Sequence, residues 1–220
     1  MNKSRFFSPI NVALAAGVLA SLGTAGRARA ATFHVATAQE LQTTLNSAAG
    51  NGSDDTILFA AGIYSGTFTF NSTEAQSLTL LPETNAPVGQ VVIAGSLAIS
   101  APSPSIIVRG VTFQGSLTVG VQGAVSFIGC VFQGGYFVVN YGGAFTCSGC
   151  LVTLGGRSMI RGCASASLDH NTFQGNAGAV TIDGNRRAGY DYAMTGPVSF
   201  VGNRVIGDRG GRGSPARVHL

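Results

Sequence analysis

One ten-residue pattern returns along this chain at short, nearly regular intervals. It reads Ile-Ile-Val-Arg-Gly-Val-Thr-Phe-Gln-Gly at 106–115, Val-Ser-Phe-Ile-Gly-Cys-Val-Phe-Gln-Gly at 125–134 and Phe-Thr-Cys-Ser-Gly-Cys-Leu-Val-Thr-Leu at 145–154. It recurs as Ala-Ser-Leu-Asp-His-Asn-Thr-Phe-Gln-Gly at 166–175 and Val-Ser-Phe-Val-Gly-Asn-Arg-Val-Ile-Gly at 198–207. The starting positions advance by 19, 20, 21 and 32 residues. A period near twenty, built from short alternating apolar runs and punctuated by glycine, predicts parallel strands that stack repeat upon repeat. One repeat cannot bury its own apolar face, so each needs the next.

Within a repeat the alternation assigns an inner face, with Val108 and Phe113 inward in one repeat and Phe127 and Phe132 inward in the next. Equivalent positions then stack about 4.8 Å apart, so Phe113, Phe132 and Phe173 are expected to form an aromatic column. The position after the glycine bend runs Val111, Cys130, Cys150, Asn171, Asn203. Asparagine tolerates such bends and its amide bonds to copies stacked above and below, so a structural ladder is expected in preference to a ligand role. Cys130 and Cys150 become neighbours in that column, at a separation that suits a disulfide; a strained bridge and an unformed one fit equally.

Thr37-Ala-Gln-Glu40 is a capping box and predicts a helix over about 38–49. Leu41, Leu45 and Ala48 share one face of it, Gly50-Asn51-Gly52 ends it, and a strand follows over 56–60 before a turn at Gly62. Residues 31–62 are therefore expected to cap a stack of coils spanning 63–208.

Lys3 and Arg5 precede an apolar run over 12–22, and Ala28-Arg29-Ala30 offers small residues where a signal peptidase looks for them. Residues 1–30 are expected to be an export signal cleaved after Ala30, since the run is shorter than the ~20 residues a bilayer span needs. The mature chain is then expected to be secreted, whether extracellular, at the cell surface or periplasmic, with no membrane attachment after cleavage. The formal charge of +4 owes to this segment, because Lys3, Arg5, Arg27 and Arg29 lie in it and 13 − 4 = 9 basic residues remain against 9 acidic ones. A neutral mature chain gives no ground for a nucleic-acid partner. Export makes Cys130, Cys147, Cys150 and Cys163 eligible for oxidation. The Cys147-Ser-Gly-Cys150 spacing has neither the strand-to-helix context of a redox pair nor the second half of a zinc site, which leaves buried thiols or a structural bridge.

The run from Phe33 to Phe70, with Thr-Ala-Gln-Glu-Leu-Gln at 37–42, Asp-Asp-Thr-Ile-Leu at 54–58 and Ala-Gly-Ile-Tyr at 61–64, resembles the opening of right-handed parallel β-helix proteins of the pectin-lyase-like superfamily. It is most similar to the chondroitinase and alginate lyase branch, and with the repeats the likeness covers roughly 33–208. The resemblance implies a secreted fold that engages acidic polysaccharides. Because one fold hosts many activities, the activity has to be sought in the residues.

Elimination across a uronic acid needs a cation to neutralise the carboxylate and a base to take the adjacent proton. The branch uses a lysine and an arginine, often with calcium. Arg161-Gly162, ahead of the repeat bearing Asp169 and His170, is similar to its arginine-bearing coil, whereas no lysine follows Lys3. Leu168-Asp169-His170 is also similar to the Trp-Ile-Asp-His segment of pectate lyases, with Ser167 where the tryptophan stands and Asp183 only roughly placed as a calcium ligand. Arg209, Arg212, Pro215 and Arg217 resemble the Arg-x-Pro-x-x-Arg segment of those enzymes in a different spacing. The paired carboxylates of an inverting hydrolase are represented only by Asp54-Asp55, in the cap.

The candidates are thus Arg161, Asp169 and His170 for catalysis, and Asp169 with Asp183 for calcium, although their spacing with Asp191 does not define a site of about six to eight oxygens. A plain solvent-facing Asp-His pair at a strand edge remains the simpler expectation. The long step of 32 residues implies an insertion around 186–192, where Arg186, Arg187, Tyr190 and Tyr192 offer donors and ring faces suited to anionic sugars, or a plain solvated loop. Residues 209–220, rich in arginine and glycine, leave the repeat as a tail, so the stack ends open and self-association at that end is expected. The expected class is an all-β, right-handed parallel β-helix, a solenoid of about seven to nine coils at a ~20-residue period, with one N-terminal capping α-helix. Two functions stay open: a polysaccharide-interacting protein similar to the lyases, and a non-enzymatic surface or adhesin-like scaffold.

Overall fold

The computed structural model describes residues 30–84, 86, 89–102, 105–133, 137–153, 158–174, 180–183, 196–206 and 218–219. The chain starts with strand β1 (Ala31–Val35) and helix α1 (Ala38–Ala48), followed by strands β2 (Asp55–Phe59), β3 (Gly62–Tyr64) and β4 (Thr67–Asn71). The same triplet returns as β5 (Leu78–Pro82), β6 (Val91–Ile93) and β7 (Ser96–Ala101), and again as β8 (Ile106–Arg109), β9 (Thr112–Phe113) and β10 (Leu117–Val121). Next come β11 (Val125–Ile128), β12 (Val131–Phe132), β13 (Phe137–Ser148), β14 (Leu151–Val152), β15 (Ser158–Asp169), β16 (Thr172–Gln174) and β17 (Val180–Asp183). Strands β18 (Val198–Val201), β19 (Arg204–Ile206) and β20 (Val218–His219) complete the described elements.

The protein is predominantly β, with a single helix among the described residues, and each of its described strand pairs is parallel. Strands three apart in sequence pair: β2–β5–β8–β11 in one row, β4–β7–β10 in another and β3–β6–β9–β12 in a third. Strands β13 and β15 are long enough to serve the first two rows at once, which joins those rows into one sheet. The register reproduces the sequence repeat: Ile106 faces Val125, Val125 faces Phe145, Phe145 faces Ala166 and Ala166 faces Val198. The self-alignment of the sequence was therefore a strand register.

The inner column Ile57, Leu80, Val108, Phe127, Cys147, Leu168 is buried throughout, and alternate residues along each strand join it in one continuous core. Full burial of such side chains stabilises by roughly 1.5–3 kcal/mol each. The expected aromatic column is interrupted. Phe113 and Phe132 stack at 5.4 Å with rings 9° apart, but Val152 occupies the next position, and Phe173 pairs with Phe200 at 5.9 Å instead.

The helix has the expected cap: the Glu40 N–H donates to Thr37 Oγ1 at 3.2 Å, and Glu40 Oε2 accepts from the Thr37 and Ala36 N–H groups. Leu41, Leu45 and Ala48 are its buried residues. Its Gln42 amide behaves as a strand fragment, accepting from Thr69 N–H at 2.9 Å and donating to Thr69 O at 3.0 Å, so the outer edge of β4 is satisfied by a side chain. Tyr64 is buried with its hydroxyl 2.8 Å from Val35 O and 2.9 Å from Ala60 O; burial, reinforced by Glu83 and Glu40, pushes it up to about 12.

Strand β1 was not expected as a separate element, and the tail expected over 209–220 is not wholly strandless, since Val218–His219 pairs with Val180–Thr181 of β17. Of the expected signal segment, 1–30, residues 1–29 lie outside the described residues. Among the described residues no helix is long and apolar enough to cross a membrane.

Candidate functional site

The bend that ends the first strand of each repeat takes positive φ in every aligned copy: Gly110 at 62°, Gly129 at 60°, Gly149 at 62°, His170 at 52° and Gly202 at 64°. His170 thus stands in a glycine position. Its Nδ1 lies 2.7 Å from Asp169 Oδ1, in a pair whose side chains are 69% and 42% exposed, and its ring lies over Gly202 of the following repeat. Histidine and its acidic neighbour are among the residues that tolerate this backbone region best.

The position after the bend carries a continuous polar network. Asn171 Oδ1 accepts from Cys150 N–H at 2.9 Å, and Asn203 Oδ1 accepts from Asn171 N–H at 2.8 Å. Their amide groups donate to Cys147 O at 2.8 Å and Leu168 O at 2.7 Å. The cysteines continue the same pattern. Cys150 Sγ accepts from Cys130 N–H at 3.3 Å and lies 3.5 Å from Phe127 O; Cys130 Sγ lies 3.5 Å from Val108 O. Each side chain of the column reaches a carbonyl two residues before the bend of the preceding repeat, and Cys150, Asn171 and Asn203 also accept from that repeat's amide, so thiols and carboxamides form one ladder. The asparagine ladder is therefore present, and longer than expected.

No bridge joins Cys130 to Cys150: none of the four cysteines, all buried, forms a disulfide. The ladder gives the physical reason, because the sulfurs of Cys130 and Cys150 are each directed to backbone partners. Hydrogen bonds with Cys150, and then burial, push Cys130 and Cys147 well above the ordinary thiol range; the same bonds draw Cys150 down. Burial alone pushes Cys163 up to about 11.

The remaining candidates separate. Arg161 is the register partner of Asp183 on one side and Asn140 on the other, while Asp169 sits between Ser148 and Val201. Arg161 and Asp169 lie on the same strand, 169 − 161 = 8 residues apart, in the two different rows that this strand serves, with the left-handed Gly162 between them. The structure brings Arg161 to Asp183 and Asp169 to His170, and does not bring the two pairs together. Asp169 and Asp183 are thus not register neighbours, and among the described residues no three His, Cys, Asp or Glu side chains gather as a metal ion requires. Arg186, Arg187, Tyr190 and Tyr192 lie outside the described residues.

Two register rows escaped the reading of the sequence. Asn71, Ser100, Gly120, Asn140, Arg161 and Asp183 occupy one register row, in which Asn71 and Ser100 are exposed. Thr56, Thr79, Ser126, Thr146, Ser167 and Ser199 occupy another, interrupted by Ile107. The second row was signalled by the second position of the repeat, which is hydroxylic in four of five copies. No family model, curated protein or solved structure matches the chain.

Proposed function

We propose that the chain is a right-handed parallel β-helix, exported from the cell, that engages an acidic polysaccharide along its outer rows. The observation that carries this reading is the register row Asn140, Arg161, Asp183, which puts an arginine position between two polar positions on strands about 4.8 Å apart, arginine being the residue type best suited to a carboxylate. The hydroxyl row supports it, since serine and threonine both donate to and accept from sugar hydroxyls. The pectin-lyase-like resemblance supports the same substrate class, and the segment 1–30 supports release to the periplasm, cell surface or medium. Val198, Val201 and Val205, exposed on β18 and β19, support self-association at the C-terminal end.

A glycan screen spanning alginate, pectate and chondroitin sulfate tests the reading; a folded sample that retains none of these polymers overturns it. Absorbance from the unsaturated bond of β-elimination, followed with and without calcium, then separates a lyase from a binder. We expect binding without elimination, because the arginine and the Asp-His pair stand apart and no lysine follows Lys3. The second reading is a surface or adhesin-like scaffold. It is favoured by the ladder, which commits Asn171, Asn203, Cys130 and Cys150 to backbone partners.

A further inference from the structure

Between Arg29 and Arg109 the chain has no lysine or arginine, yet Glu40, Asp54, Asp55, Glu74 and Glu83 all lie there. Three of these carboxylates gather where β2 begins. Asp55 is 4% exposed, and its Oδ1 accepts from the Asn51 amide at 2.9 Å. Asp54 Oδ1 accepts from Ser77 N–H at 2.7 Å, and Glu74 Oε2 accepts from Gly52 N–H at 2.8 Å. These donors are all neutral. Burial pushes the Asp55 carboxyl up, and the charges of Asp54 and Glu74 add to the effect against the pull of Asn51 and of the Ala31 N–H. A buried carboxylate among like charges calls for a cation.

The first residue of β1 is where one would arrive. Ala31 is the register partner of Asp55, and its N–H donates to Asp54 O at 3.1 Å and reaches the Asp55 carboxylate. Ala30, one residue earlier, is exposed.

We propose that cleavage after Ala30 sets the new α-ammonium of Ala31 against Asp55, and that this ion pair fastens β1 to β2 only in the mature chain. The inference rests on the export reading above. In the step itself a peptidase adds water across the Ala30–Ala31 amide: the C–N bond breaks, Ala30 leaves as a carboxylate, and the Ala31 amine takes up a proton. An α-amino group ordinarily titrates at about 7.7–8.0, so it is largely charged at neutral pH before the carboxylates raise it further. The ammonium keeps the hydrogen already donated to Asp54 O and gains others for Asp55. A neutral strand terminus becomes a charged clasp at the end of the protein where α1 also packs.

The test compares the chain beginning at Ala31 with a free amine against the same chain Nα-acetylated, each with Asp55 and with Asp55→Asn. We expect the α-amine to titrate at least one unit above its ordinary value, about a tenfold slower acylation near neutral pH. Acetylation should lower Tm in the Asp55 chain and leave the Asp55→Asn chain unchanged. An α-amine of ordinary pKa, or an equal loss of Tm in both backgrounds, overturns the ion pair. If Asp55→Asn does not fold, the α-amine titration of the Asp55 chain decides alone. N-terminal sequencing of exported protein judges the cleavage separately: Ala31 first supports the proposal, and a different first residue refutes the maturation step without bearing on the pair itself.

Discussion

Asn171 serves one backbone N–H, one carbonyl and the amide of Asn203 from a position 1% exposed. Asn171→Leu leaves the Cys150 N–H and Cys147 O buried without partners, each costing about 1–3 kcal/mol. We predict a loss of about 2–4 kcal/mol in denaturant unfolding. By the same logic Cys150→Asn extends the ladder and should cost less than Cys150→Val, which strips the Cys130 N–H of its acceptor. The asparagine part of this was legible, because repeat alignment places Asn171 and Asn203 in one column. The thiols were not, because nothing in a list of cysteines distinguishes a sulfur waiting for a disulfide from one already bonded to backbone. Cys163 gives a pH prediction. Its thiol is raised in the folded state to about 11, while in the unfolded chain it ionises at about 8.5. Its contribution is whole below the lower value and is lost as pH rises toward the higher. Urea unfolding across that window should show stability falling with pH, and Cys163→Ala should flatten the fall.

Turns and caps make up the next scale. A Cβ on Gly95 would lie 1.6 Å from Gly66 O, and one on Gly115 would lie 1.9 Å from Gly95 O, so successive repeats approach backbone to backbone at this corner. A Cβ on Gly129 meets nothing within 4 Å, and only its φ of 60° opposes substitution. Thermal unfolding should therefore rank Gly95→Ala, at about 3 kcal/mol, below Gly129→Ala in stability, the latter costing about 1–2 kcal/mol. Thr37→Ala removes half of the capping box and should cost about 1 kcal/mol. The capping box was readable because its chemistry lies within four consecutive residues. Strand β1 was not, since its alternation of Ala31, Phe33 and Val35 with Thr32 and His34 spans only five residues outside the repeat, and its partner β2 begins 55 − 31 = 24 positions later.

Across the whole molecule the repeat carried the register, since steps of 19, 20, 21 and 32 residues are the separations of paired strands. Function was less legible for a physical reason. Stacking constrains inner positions to apolar residues at a fixed period, whereas an outer row needs no fixed residue type and becomes visible only once the register is known. Asn140 and Asp183 gained meaning only as the register neighbours of Arg161 on the two flanking strands. The titration that tests the account most directly measures binding of alginate, pectate and chondroitin sulfate oligosaccharides to the chain and to Arg161→Ala, at low and physiological salt. The account predicts binding to at least one polymer, weakened about tenfold or more by the substitution, a difference of about 1.4 kcal/mol, and reduced as salt screens the charges. Equal affinity of the two proteins, or no binding by a folded sample, would contradict it.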